Sequence, residues 1–150
     1  MTKQTLSTNE RDAWRGFRRM AEMISGKVGQ EIARATGLSP QDFGILMQLD
    51  RMENGKCRQR EIQDFLEWDK SRLSHQLTRM TSRGLVVREV AGSAVTISMT
   101  EEGRRLLDSA KPVHAASVRA NFIEHLSAQE LEQLRSITGK LRSALAGSDA

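Results

Sequence analysis

The chain has 150 residues, 38% hydrophobic and 28% charged, enough for a real core in one domain, or one domain plus arms. No apolar run approaches the roughly 20 residues of a membrane span, the opening MTKQTLSTNERDAW holds no apolar signal region, and a single Cys excludes an internal disulfide, so a cytoplasmic, reducing setting is expected. The formal charge is +4 and the pI about 9.7, a modest excess whose placement matters more than its sum.

Pro occurs twice and Tyr is absent, so Leu, Ile and seven Met must fill the interior of a mostly helical protein. Helix one is expected near Ser7, because Ser7 and Glu10 have capping-box spacing. Trp14, Phe17, Ala21, Ile24, Val28 and Ile32 then recur at three or four residues, a helical seam that Gly37 ends. A long single stripe of this kind needs a partner helix, from this chain or a second one. Helix two starts at Ser39, with Pro40 at its first position and Asp42 at its third. Phe43, Leu46, Met47 and Leu49 face inward, and Asn54-Gly55 stops it. A short helix three begins around Arg58 or Gln59, with Ile62, Phe65 and Leu66 on its buried side.

Glu67-Trp68-Asp69 reads as a tight turn whose Asp69 caps helix four. Trp68 and Leu73 have the spacing of a hydrophobic staple across that cap. Helix four, DKSRLSHQLTRMTSRG (69–84), has a thin apolar stripe of Leu73, Leu77 and Met80, with Gly84 just past its end. LVVREV (85–90) and VTISMT (95–100), joined by AGSA, read as a β-hairpin. Thr100 caps a long helix that Pro112 is expected to kink. Ser127 and Glu130 form a further capping box, opening an amphipathic helix through Leu131, Leu134, Ile137, Leu141 and Leu145.

The fold class is therefore mainly α with a small β-hairpin: a winged helix-turn-helix flanked by N- and C-terminal helices. Residues 1–37 form the N-terminal helix, 38–100 the winged domain and 101–150 the C-terminal helices. In this motif the second helix of the pair lies in the major groove of double-stranded DNA. From Lys70 to Arg88 there is no Asp or Glu. Arg72, Ser74, His75, Thr78 and Arg79 are candidates for groove contacts, since Arg pairs bidentately with guanine and hydroxyls reach base or phosphate oxygens. Lys70, Ser71, Arg83, Arg88 and Arg58 are candidates for phosphate contacts, which set affinity and its salt dependence.

The segments LSPQDFGILMQL (38–49), REIQDFLEWDKSRLSHQLTRMTSRGLVVRE (60–89) and MTEEGRRLL (99–107) resemble the multiple-antibiotic-resistance regulator (MarR) family of bacterial transcription factors. The resemblance covers nearly the whole chain. It implies a homodimer whose first and last helices intertwine, giving the seams at 14–32 and 131–145 a dimerisation role. It also implies a repressor on a pseudo-palindromic operator, with half-sites about 34 Å apart. The resemblance further implies a small-molecule effector, since family members often bind small aromatic acids between the winged domain and the dimer base, which shifts the balance between two dimer states and weakens DNA affinity; Trp14, Phe17, Phe43 and Met47 are the candidate ligand-binding residues. The wing departs from the family, whose tips often carry Asp and Arg, because AGSA is short and uncharged.

Cys57 lies between Lys56 and Arg58, and neighbouring cations can lower a thiol pKa, so a redox-sensing regulator is one alternative. A winged helix that binds another protein through helix four is the other. His75, His114 and His125 have no metal-ligand spacing, and His114 and His125 read as solvated or capping residues. No nucleophile elbow or phosphate loop stands out, so neither an enzyme nor a cofactor is expected.

Overall fold

The computed structural model describes residues 5–147; the outermost ends of the two terminal segments lie outside the described residues. In chain order these residues form α1 (Thr8–Thr36), α2 (Pro40–Asp50), β1 (Lys56–Arg58), α3 (Gln59–Leu66), α4 (Lys70–Ser82), β2 (Val86–Ala91), β3 (Ala94–Met99), α5 (Glu101–Asn121) and α6 (Ala128–Ala146). Short 3-10 turns precede β1 and α6. Two compact units result, one made by Gly29–His114 and the other by the chain before and after it, so the unit boundaries fall inside α1 and α5.

Local capping chemistry sets the helix starts. Ser7 and Glu10 exchange hydrogen bonds ahead of α1, Ser39 and Asp42 ahead of α2, and Ser127 and Glu130 ahead of α6. Thr100 Oγ1 accepts the Gly103 N–H at 3.0 Å to open α5. Each pair satisfies N–H groups that a helix leaves unpaired at its start. Gly37 and Gly84, the expected helix stops, both take positive φ. α5 runs through Pro112 as one helix.

In the Gly29–His114 unit the core is Leu38, Ile45, Leu46, Leu49, Ile62, Leu73, Leu77, Met80, Leu85, Ile97 and Leu107, all essentially fully buried. Each such side chain contributes on the order of 1.5–3 kcal/mol by leaving water. Phe65 does not join them. It is 53% exposed, because α3 is only two turns long and its buried side is set by Ile62, with Phe65 about 60° round the axis.

The sheet has three strands, not two. β1 adds to the hairpin in the order β1-β3-β2, with Cys57 opposite Ile97. The hairpin connection is also tighter than four residues: Ala91 pairs with Ala94, leaving Gly92 and Ser93 as the turn. Gly92 takes φ +62°, which a two-residue hairpin turn requires and a side chain would oppose. Gly103 is needed for a different reason. A Cβ there would meet the Leu85 carbonyl oxygen at 2.3 Å, so α5 starts directly against the backbone leading into β2.

The other unit leaves apolar side chains in solvent. Of the expected α1 seam, Val28 is buried here and Ile32 in the Gly29–His114 unit, Ile24 is half-buried, and Trp14, Phe17 and Ala21 are exposed, as are Met20 and Met23 outside the seam. On α6, Leu131 and Leu134 are half-buried and Ile137, Leu141 and Leu145 exposed.

Candidate nucleic-acid interface

Helix α4 is presented by its two ends. At the start, Asp69 accepts the Arg72 N–H at 2.9 Å. At the far end, Arg83 Nη1 meets Asp42 Oδ2 at 2.6 Å and Nη2 donates to the Gly37 carbonyl at 2.9 Å. Leu73, Leu77 and Met80 are fully buried between these ties. With that stripe inward, Lys70, Ser71, Arg72, His75, Thr78 and Arg79 are exposed, and Ser74 is half-buried. The exposed face therefore carries cations and hydroxyls and no carboxylate after the Asp69 cap.

Several candidate side chains are held in place by the protein. The Arg72 guanidinium lies 4.0 Å from the centroid of the Trp68 ring, a cation–π contact. Arg79 Nη2 donates to Gln76 Oε1 at 2.6 Å. Thr78 Oγ1 donates to the Ser74 carbonyl at 2.9 Å, leaving its oxygen free to accept.

Two sequence-predicted phosphate contacts have structural duties. Arg83 joins α4 to α2, with its side chain still 43% exposed. Arg88 is half-buried and its Nη2 donates to the Ser74 carbonyl at 3.0 Å, fastening β2 to α4. Its Nε is buried without a protein partner.

Arg58 is exposed where β1 meets α3, and its backbone N–H donates to Glu61 Oε2 at 2.7 Å. It lines a cleft of roughly 540 Å³ together with Arg60, Lys70, Asp64 and Ser93 from the hairpin turn. Arg60 was not singled out by the sequence, because its position beside Lys70 depends on how α3 and α4 pack. Gln76 was missed for the same reason. It occupies the buried side of α4, 4% exposed, and donates to Asp42 Oδ1 at 2.7 Å.

The surroundings of Cys57 are not those the redox alternative needs. It is 7% exposed, while the flanking Lys56 and Arg58 are exposed on the opposite side of the strand. Burial, and then the charge of Glu61, push the thiol up to about 11, the opposite of a cation-activated thiolate. Trp14 and Phe17 belong to the terminal-helix unit, with ring centroids 6.0 Å apart. Phe43 and Met47 are half-buried in the other unit, where Phe43 stacks on His114 at 5.1 Å. His125 Nε2 lies 2.9 Å from the Ala120 carbonyl, a local contact at the end of α5. Among the described residues no cluster of three His, Cys, Asp or Glu could hold a metal ion, and no helix is long and apolar enough to cross a membrane.

The MarR family profile matches residues 36–93, the winged part of the chain. The crystal structure of AbsC, a MarR family transcriptional regulator from Streptomyces coelicolor, is 30% identical and superposes with a TM-score of 0.88 over 97% of this chain and 99% of that one. The chain belongs to the MarR family. It is a MarR-family transcriptional regulator with a winged helix-turn-helix, and that family and fold are those of regulators rather than enzymes. Sco3205, a MarR family regulator from the same organism solved in complex with DNA, shares the fold at 24% identity, TM-score 0.87, over 94% of each chain. CouR from Rhodococcus jostii RHA1, solved bound to p-coumaroyl-CoA, is 27% identical with a TM-score of 0.74 over 93% of this chain and 95% of that one. In this MarR-family chain α3 and α4 are thus the helix-turn-helix pair, and β2 and β3 the wing.

Proposed function

We propose that this MarR-family protein is a cytoplasmic homodimeric repressor that occupies a pseudo-palindromic operator through α4 and is released by a small aromatic ligand. The observation that carries the reading is the outer face of α4: Arg72, His75, Thr78 and Arg79 exposed together, no acid from Lys70 to Arg88, and a fully buried stripe behind them. Such a face suits base edges, while Lys70, Ser71 and Arg58 at its margin suit phosphates. Arg60 extends that margin along the cleft. Arg83 and Arg88 serve first as ties that hold α4, and Arg83 keeps enough exposure to meet a phosphate as well.

The exposed apolar side chains of α1 and α6 support pairing with a second copy, since a lone chain would leave Trp14, Phe17, Ile137 and Leu141 in water. Two copies related by a two-fold axis would present two α4 helices to successive major grooves. The DNA complex of Sco3205 and the p-coumaroyl-CoA complex of CouR support DNA and a small-molecule effector as the partners.

The test is a gel-shift series on fragments selected from the source genome, run against salt. The expected result is tight binding of a near-palindrome that weakens steeply as salt rises. Indifference to genomic DNA at low ionic strength would overturn the reading and leave the protein-interaction alternative.

A further inference from the structure

Gln76 is a buried amide on the inner side of a helix whose outer side is the candidate reading face. Its two ends are committed in opposite directions. Nε2 donates to Asp42 Oδ1 at 2.7 Å, and Oε1 accepts from Arg79 Nη2 at 2.6 Å. A carboxylate only accepts and a guanidinium only donates, so these partners leave the amide a single orientation. Asp42 is itself fixed. Its carboxylate accepts the Ser39 N–H at 2.9 Å, closing the cap of α2, and it is paired with Arg83.

The chain Ser39–Asp42–Gln76–Arg79 thus runs from the start of α2, through the core, to an exposed guanidinium on α4. We propose that Gln76 is a positioning residue for DNA reading: it sets Arg79 in its contact geometry before DNA arrives. One Nη2 hydrogen is used by Gln76, and the remaining guanidinium N–H groups stay available to a base edge or phosphate. An Arg held this way enters the complex with its rotamer already chosen, and so loses less freedom on binding. The relay also makes the reading face sensitive to the start of α2. A shift of Asp42 moves the amide, and the amide moves Arg79. This inference rests on the proposal that Arg79 meets DNA.

A double-mutant cycle tests it on the full-length protein, with the genome-selected operator and a random duplex of equal length. Gln76→Met keeps the side-chain length and removes both hydrogen bonds. The expected result is an operator affinity about tenfold lower with little change on the random duplex, and no further loss when Gln76→Met is added to Arg79→Ala. Independent, additive losses for the two substitutions would overturn the relay while leaving Arg79 as a contact. An Arg79→Ala protein with unchanged operator affinity would overturn the contact itself, and the relay with it.

A second measurement needs no substitution in the core. In ¹⁵N-arginine spectra of the unmodified protein without DNA, the relay predicts resolved, slowly exchanging Nη signals for Arg79, assigned by their loss in Arg79→Ala. A single averaged signal would show the side chain free and overturn the proposal, whether or not Gln76→Met folds.

Discussion

Asp42 and Arg83 are 41 residues apart in sequence and 2.6 Å apart in space, and their contact closes the end of α4 onto the start of α2. The carboxylate is buried whereas the guanidinium is partly in solvent. Screening therefore discounts the charge attraction, and the bonds lost around the buried partner decide the energetics. Asp42 also caps α2 and accepts from Gln76. Asp42→Ala should therefore destabilise the protein by about 2–3 kcal/mol, read as a lower denaturant midpoint.

The two classes of cation on the proposed DNA face should separate in binding data. Arg72→Ala should cost about 1–3 kcal/mol on the operator and much less on random duplex if Arg72 reads a base. Lys70→Ala should weaken both by similar factors and lower the salt slope by about one for each subunit, about two for the dimer. Equal losses on both duplexes would move Arg72 into the phosphate class.

Asp50, at the end of α2, is hydrogen-bonded to Lys111 and Arg104 on α5. Those two bonds, Lys111 first, hold its carboxyl below the ordinary value of 3.8. The folded state therefore keeps Asp50 charged at a pH where the unfolded chain has begun to take up a proton. The stabilisation is complete well above pH 3.8 and fades as pH falls below it toward the depressed value. Asp50→Asn should lower Tm at neutral pH and flatten the acid limb of a Tm-against-pH curve. An acid limb as steep as that of the unmodified protein would show that Asp50 is not a source of the dependence.

Gly103→Ala would set a methyl group against the Leu85 carbonyl oxygen. That oxygen also accepts the Thr100 N–H and the Thr100 hydroxyl, so neither side can retreat without losing the cap of α5. A loss of about 1–3 kcal/mol in thermal or denaturant unfolding is expected.

Cys57 should be chemically quiet in the folded protein. With its thiol at about 11, little thiolate exists at pH 8, and burial blocks access. Alkylation should be slow natively and fast after unfolding, and peroxide should leave DNA affinity unchanged. A peroxide-dependent loss of operator binding that disappears in Cys57→Ser would restore the redox alternative.

What could be read from the sequence was what is decided locally. Ser127–Glu130, and Ser39 with Pro40 and Asp42, lie within one helical turn, so local spacing located the helix starts. The stripe of Leu73, Leu77 and Met80 likewise fixed which side of α4 turns outward. What escaped depends on distant partners. β1 is three residues long and is a strand only because β3 pairs with it. Gln76 reads as one more polar residue until Asp42 arrives from 34 residues away. Arg83 and Arg88 look like free cations in the sequence, and only packing reveals their ties to Asp42 and the Ser74 carbonyl.

The bond from Arg88 to the Ser74 carbonyl couples β2 to the second turn of α4. A hairpin tied in this way is biased to move with the helix rather than apart from it. If α4 seats in a groove, whatever tilts the helix should carry the wing along with it.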